Sequence, residues 1–158
     1  MTGGKSARRR AREYAVQGLY QWQLADNDIA DVASSISDDS HFPKADGAYF
    51  IKLLKGVCAN AEQLQIQIAP ALDRKFDALS PVERSILLLA TYELTHQLEI
   101  PYRVVINEAI ELAKTFGGTD GHKYVNGVLD KIAPILRPEE KASASRAPRQ
   151  SRDGLSKG

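Results

Sequence analysis

Ser80-Pro81-Val82-Glu83, running on into Ile86-Leu87-Leu88-Leu89-Ala90, is the stretch on which the fold turns. Serine at the cap, proline at the first helical position and glutamate three residues after the cap form a capping box, the clearest helix start in the chain. The helix that follows, residues 81–98, is apolar on nearly every side, and a helix of that kind belongs at the centre of a bundle. Glu93 falls on its wheel beside Ile86, Leu89 and Ala90. A carboxylate therefore enters the interior and needs a partner. Glu83 is either the capping acid alone or also a contact for another molecule.

Helices extend outward from this centre in both directions. Upstream, Phe50, Leu53, Leu54, Val57, Ala61, Leu64 and Ile68 recur at three- and four-residue steps from Asp46. That periodicity predicts one long amphipathic helix, ended by Pro70. Residues 29–36 read as a short helix after Asp26-Asn27-Asp28, and residues 37–45 as a polar, mobile loop. Downstream, Pro101 opens a helix with Val105, Ala109, Leu112, Ala113 and Phe116 inward and Glu108, Glu111 and Lys114 outward. Gly117-Gly118 closes it as glycine usually does past a helix end. A last helix carries Val125, Val128, Leu129 and Ile132 on its inner stripe, and Pro134 and Pro138 finish it. No run alternates at period two between turn signals, so no sheet is expected. The reading is an all-α compact bundle of about six to seven helices over residues 5–137. Residues 1–4 are expected to be flexible and residues 138–158, rich in Ser, Ala and Arg, to form a disordered tail.

The chain of 158 residues, 43% hydrophobic and 26% charged, is long enough for one sizeable core. Its formal charge of +1 hides an asymmetry. Residues 5–12 hold 5 cations and no acid, residues 137–158 hold 6 cations and 3 acids, and 10 cations and 17 acids remain between. An acidic body with a basic end favours a local, oriented contact with a polyanion over general coating. The single Cys58 excludes a disulfide framework, and neither a signal peptide nor a membrane span is read, so a cytoplasmic protein is expected.

The basic end is the start of a helix over residues 5–24, where cations oppose the helix dipole. With Arg8 at zero on the wheel, Arg12 falls near 40°, Lys5 near 60° and Arg9 near 100°. Ala7, Ala11, Tyr14, Ala15, Gly18 and Trp22 share a separate arc that reads as the core-facing stripe. Arginine suits phosphate through its planar, paired donors, although a terminal charge run is also commonly a solvated, frayed segment. Val16 and Tyr20 continue the second face as apolar groups that the core stripe does not claim, a place for a protein partner.

Chemistry of other kinds is poorly supported. His41, His96 and His122 lack metal-ligand spacing, and Cys58 lies in an apolar stripe with no base in view. Residues 118–123 resemble a phosphate loop in composition only. Glu108 and Glu111 read as a solvated helix face. No catalysis, metal or cofactor is expected. At the start of the last helix, Asp120, His122, Lys123 and Tyr124 bring donors and an aromatic ring to a helix N-terminus, which can hold phosphate and stack an unpaired base. The alternative is that Tyr124 is core and Asp120 only a cap.

Three ordered blocks carry a family resemblance. Ala7-Arg8-Arg9-Arg10-Ala11-Arg12-Glu13 with Ala15-Val16-Gln17-Gly18-Leu19-Tyr20 is the first. Pro101-Tyr102-Arg103-Val104-Val105-Ile106-Asn107-Glu108-Ala109-Ile110-Glu111-Leu112-Ala113-Lys114 and Lys123-Tyr124-Val125-Asn126-Gly127-Val128-Leu129-Asp130-Lys131 are the others. Together they resemble the NusB family of bacterial transcription antitermination factors, over residues 8–138. The resemblance implies two three-helix lobes and no catalysis. It implies binding to the boxA element of nascent RNA, notably in ribosomal RNA operons, together with NusE, which is also a small-subunit ribosomal protein, so that RNA polymerase passes terminators. By the same resemblance Arg8, Arg9, Arg10 and Arg12 match an RNA-binding start, Asp120, Lys123 and Tyr124 match a second RNA-facing patch, and Tyr20 and Glu83 match positions that face NusE. Position 124 is tyrosine where relatives often have phenylalanine; either ring stacks. A NusB-like domain also opens some ribosomal RNA cytosine methyltransferases, but no methyltransferase domain is expected here. The tail has no counterpart in the resemblance. Self-association stays open, because an apolar patch that docks a partner can also pair two copies.

Overall fold

The computed structural model describes residues 5–25, 27–117 and 121–140. Its described residues form seven α-helices: α1 (Ala7–Ala25), α2 (Ile29–Ser37), α3 (Gly47–Ala59), α4 (Ala61–Ile68), α5 (Pro81–His96), α6 (Tyr102–Phe116) and α7 (Gly121–Leu136). Short 3-10 turns lie at Phe42–Lys44, Ala69–Ala71 and Phe76–Ala78. One group packs α1 with α2 and α3, the other α5 with α6 and α7, and α4 lies on α5.

The capping box is formed in full: the Glu83 backbone N–H donates to Ser80 Oγ at 3.1 Å, and the Ser80 N–H donates to Glu83 Oε1 at 3.1 Å. Every residue from Ser85 through Leu94 is buried. Helix α5 touches α1, α3, α4, α6 and α7, so each of its sides meets a neighbour. Burial of a leucine-sized side chain stabilises by roughly 1.5–3 kcal/mol, and Leu87, Leu88 and Leu89 all contribute at no more than 1% exposure.

The expected long helix from Asp46 is broken in two. Asn60 leaves helical geometry at φ −117°, ψ 17°, and its side-chain amide donates to the Gly56 carbonyl at 2.7 Å. Asparagine competes for backbone partners in this way, which weakens a helix interior. The loop at 37–45 is not a free segment either. Phe42 packs on Tyr14 and Phe50, with ring centroids 5.2 and 5.3 Å apart, and Asp39 accepts from the Tyr14 hydroxyl at 2.9 Å. Gly117 stops α6 in extended backbone, φ −91°, ψ −178°, rather than in the left-handed region. Glycine is required there because a Cβ would lie 2.7 Å from the Ala113 carbonyl oxygen.

A closer approach joins α3 to α5. A Cβ on Gly56 would sit 2.3–2.5 Å from the Tyr92 ring, itself stacked on His96 at 4.7 Å. Gly56→Ala is therefore expected to lower stability by about 1–2 kcal/mol in urea denaturation, overpacking outweighing the better helix propensity of alanine. A gain in stability would contradict the packing.

Candidate nucleic-acid and partner interfaces

The basic start of α1 divides into arginines with different surroundings. Arg8 is exposed, and its guanidinium carbon lies 4.0 Å above the centroid of the Tyr49 ring. Arg9 donates from Nε and Nη2 to the two oxygens of Glu108 at 3.0 and 2.7 Å, with its side chain 37% exposed. That pairing holds the Arg9 guanidinium above its ordinary range. Lys5 pairs with Glu13 at 2.8 Å. Arg10 is half-buried on the side of Tyr14, away from the arc of Arg8 and Arg9.

Arg12 corrects the expectation of a four-arginine grip. It is 4% exposed and donates from Nε to Glu93 at 2.9 Å, with Glu108 3.5 Å from Nη1. The Tyr49 hydroxyl also donates to Glu93. The buried acid has its partners, and one of them is a residue assigned to the outer face. Burial pushes the Glu93 carboxyl up, against the pull of Arg12 and Tyr49. Glu108, read as part of a solvated face, instead anchors α6 to α1. Sequence reasoning missed Tyr49 altogether. No signal marks it, because it lies one position from the core residue Phe50 and contacts α1 only in three dimensions.

A second cluster joins α7 to the connection after α4. The Tyr124 hydroxyl donates to Asp73 at 3.0 Å, and the Arg74 guanidinium lies 4.8 Å over the same ring. Tyr124 is thus half-buried, with part of its ring on the surface. Lys123 is exposed, and Lys123, Tyr124, Gly127 and Lys131 line a groove of about 220 Å³ with Asp73. Asp120 lies outside the described residues. Hydrogen bonds from Arg74, then from Tyr124, hold the Asp73 carboxyl down at about 2. A depressed carboxylate keeps its contribution above the ordinary value of 3.8 and loses it as pH falls through about 2. Carbon-13 NMR of the Asp73 carboxyl is expected to show a midpoint near 2 that rises in Tyr124→Phe; a midpoint at the ordinary value would remove the cluster.

The third surface is a groove of about 460 Å³ lined by Val16, Gln17, Tyr20, Gln21, Val82 and Phe116. Tyr20 is 40% exposed at its rim. Val16, expected on the outer face, is 1% exposed and forms the floor. Glu83, engaged in its capping box, follows the lining residue Val82 in sequence.

Burial pushes the Cys58 thiol up to about 12, which keeps it protonated. Among the described residues no group of three His, Cys, Asp or Glu is placed to hold a metal, and no helix is long and apolar enough to cross a membrane.

A family model described as NusB family matches residues 9–134. The chain is 57% identical over 143 residues to a transcription antitermination protein NusB of Aromatoleum aromaticum, covering 90% of this chain and 98% of that one. It is 54% identical to the protein of the same name from Dechloromonas aromatica, covering 90% and 88%. Among solved structures, T. maritima NusB superposes with a TM-score of 0.74 at 32% identity, over 85% of this chain and 96% of that one. A NusB chain from a complex of NusB and NusE with double-stranded RNA gives 0.75 at 26% identity, over 82% and 97%. The chain belongs to the NusB family.

Proposed function

We propose that the protein is a non-catalytic, cytoplasmic transcription antitermination factor that binds boxA RNA together with NusE and so joins the RNA polymerase antitermination complex. Arg8, Arg9 and Arg10 contact phosphates, Lys123 and Tyr124 with Asp120 form the second RNA-facing patch, and the Val16 and Tyr20 groove beside Glu83 docks NusE. The reading rests above all on exposed arginine edges at the start of α1, in a chain whose fold matches a NusB seen with NusE and RNA. Arg12 is left out of the phosphate contacts, because its guanidinium is committed to Glu93. A single strand is the better target here. Tyr124 can stack an unpaired base, and unpaired bases are where sequence is read.

The test is RNA affinity against salt, with and without NusE. Three phosphate contacts give a slope of log affinity against log salt near −2, at roughly −0.7 per contact. Arg8→Ala with Arg9→Ala is expected to flatten it by roughly 1.4. An unchanged slope would remove these residues from the RNA site. Absence of saturable binding even with NusE present would favour a pure protein-interaction module, and tighter binding to the duplex than to the single strand would overturn the stacking role of Tyr124.

A further inference from the structure

Arg8 differs from its neighbours in how it is held. Arg9 is fixed by a carboxylate, which consumes its Nε and one Nη2 hydrogen and offsets its charge. Arg12 is fixed the same way and is buried. Arg8 lies over an aromatic face at 4.0 Å and has no hydrogen-bond or carboxylate partner among the described residues. A ring engages the plane of a guanidinium and leaves its edge open, so the donors of Arg8 stay available while its orientation is set.

The ring itself is well anchored. Tyr49 is 4% exposed on the first turn of α3, where its backbone N–H donates to the capping Asp46 at 3.0 Å. Its hydroxyl donates to Glu93, the same carboxylate that Arg12 holds. The platform under Arg8 is therefore fixed from α3, α5 and α1 together.

We propose that Tyr49 is a positioning residue for RNA binding, its ring holding the Arg8 guanidinium flat with the N–H edge presented to a phosphate, a role that rests on the RNA reading of residues 8–10. A surface arginine otherwise loses rotamer freedom when it grips a ligand. Arg8 has lost much of that freedom beforehand, and preorganisation of this kind raises affinity without a new contact.

The test uses the full chain and a short labelled single-stranded boxA RNA, read by fluorescence anisotropy. Tyr49→Phe and Tyr49→Leu both remove the hydroxyl bond to Glu93 and differ in the aromatic face. Tyr49→Phe is expected to bind as the wild type does, Tyr49→Leu about three- to tenfold more weakly, and Arg8→Ala at least as weakly as Tyr49→Leu. Combining Tyr49→Leu with Arg8→Ala is expected to weaken binding no further than Arg8→Ala alone. If Arg8→Ala weakens binding while Tyr49→Leu matches Tyr49→Phe, the positioning role falls and the RNA reading stands. A Tyr49→Leu loss that persists without Arg8 also overturns it. An unchanged Arg8→Ala removes Arg8 from the RNA site and the inference with it. Should Tyr49→Leu fail to fold, Arg8→Lys decides: a fork held flat makes it as weak as Arg8→Ala, whereas wild-type binding by the lysine variant shows that charge alone matters.

Discussion

Arg12→Ala is expected to lose about 3–5 kcal/mol of folding stability, more than any change to its three neighbouring arginines. The reason is what it leaves behind: Glu93 is 1% exposed and would retain only the Tyr49 hydroxyl. Chemical denaturation at pH 7 should show the loss. Its pH dependence has a definite sign. Burial already holds the Glu93 carboxyl above its ordinary 4.5, and removal of the arginine raises it further. A folded-state value above the unfolded one means that the neutral acid favours folding. Its contribution is complete below about 4.5 and is lost as pH rises through the folded value. The variant should therefore recover stability relative to wild type on acidification from neutral pH. Replacing both partners, as Arg12→Met with Glu93→Leu, is expected to restore most of it, since two apolar groups leave no charge unpaired. Arg8→Ala, by contrast, should cost less than about 1 kcal/mol. A wild-type denaturation midpoint for Arg12→Ala would show that the interior does not depend on this pair.

The same pair marks how far the sequence could be read. Helix α5 was legible because two independent signals coincide in it, a capping box and an apolar run without a polar face. That Glu93 is buried followed from its wheel position. Its partner did not, since periodicity reports which face of one helix is covered and says nothing about a residue 81 positions away. Arg12 reads with the exposed cations when a single apolar stripe is equated with the full buried arc of α1. In the fold α1 meets α2, α3, α5 and α6, so its covered arc is wider and takes in both Arg12 and Val16. The groove beside Tyr20 was legible as leftover apolar character. Tyr49, Asp73 and Arg74 were not, because each joins a site through a contact between segments that no local pattern encodes.

Arg137→Ala is expected to lower stability by about 2–4 kcal/mol, although it lies at the last residue of the expected domain and in sequence looks like the first cation of a basic tail. The residue is 6% exposed. Its Nε donates to the Leu94 carbonyl at 2.7 Å and its Nη2 to the carbonyls of Gln97 and Glu93 at 3.1 and 3.3 Å. These belong to the end of α5 and the residue after it; the Glu93 and Gln97 carbonyls also accept from the backbone N–H groups of Gln97 and Ile100, whereas among the described residues the Leu94 carbonyl is met by Arg137. A cation there also interacts favourably with the negative helix end. The fourth contact runs from Nη1 to Glu140, whose other oxygen accepts from the Tyr102 backbone N–H at 2.8 Å. Pro101 gives α6 no side-chain cap, and Glu140 supplies one from across the structure. One arginine thus closes α5 and, through a carboxylate, fixes the start of α6, and the packed chain extends three residues past the expected boundary at 137. An unmet buried backbone group costs about 1–3 kcal/mol, so the freed Leu94 carbonyl and a loosened cap account for the expected loss. Arg137→Lys should recover only part of it, because one ammonium cannot span the carbonyls that the planar fork reaches. Glu140→Ala should cost about 1 kcal/mol, the usual effect of a lost N-cap. Urea denaturation of the three variants decides the matter, and an Arg137→Ala within about 0.5 kcal/mol of wild type, the range of an ordinary surface change, would mean that the helix ends are satisfied without it.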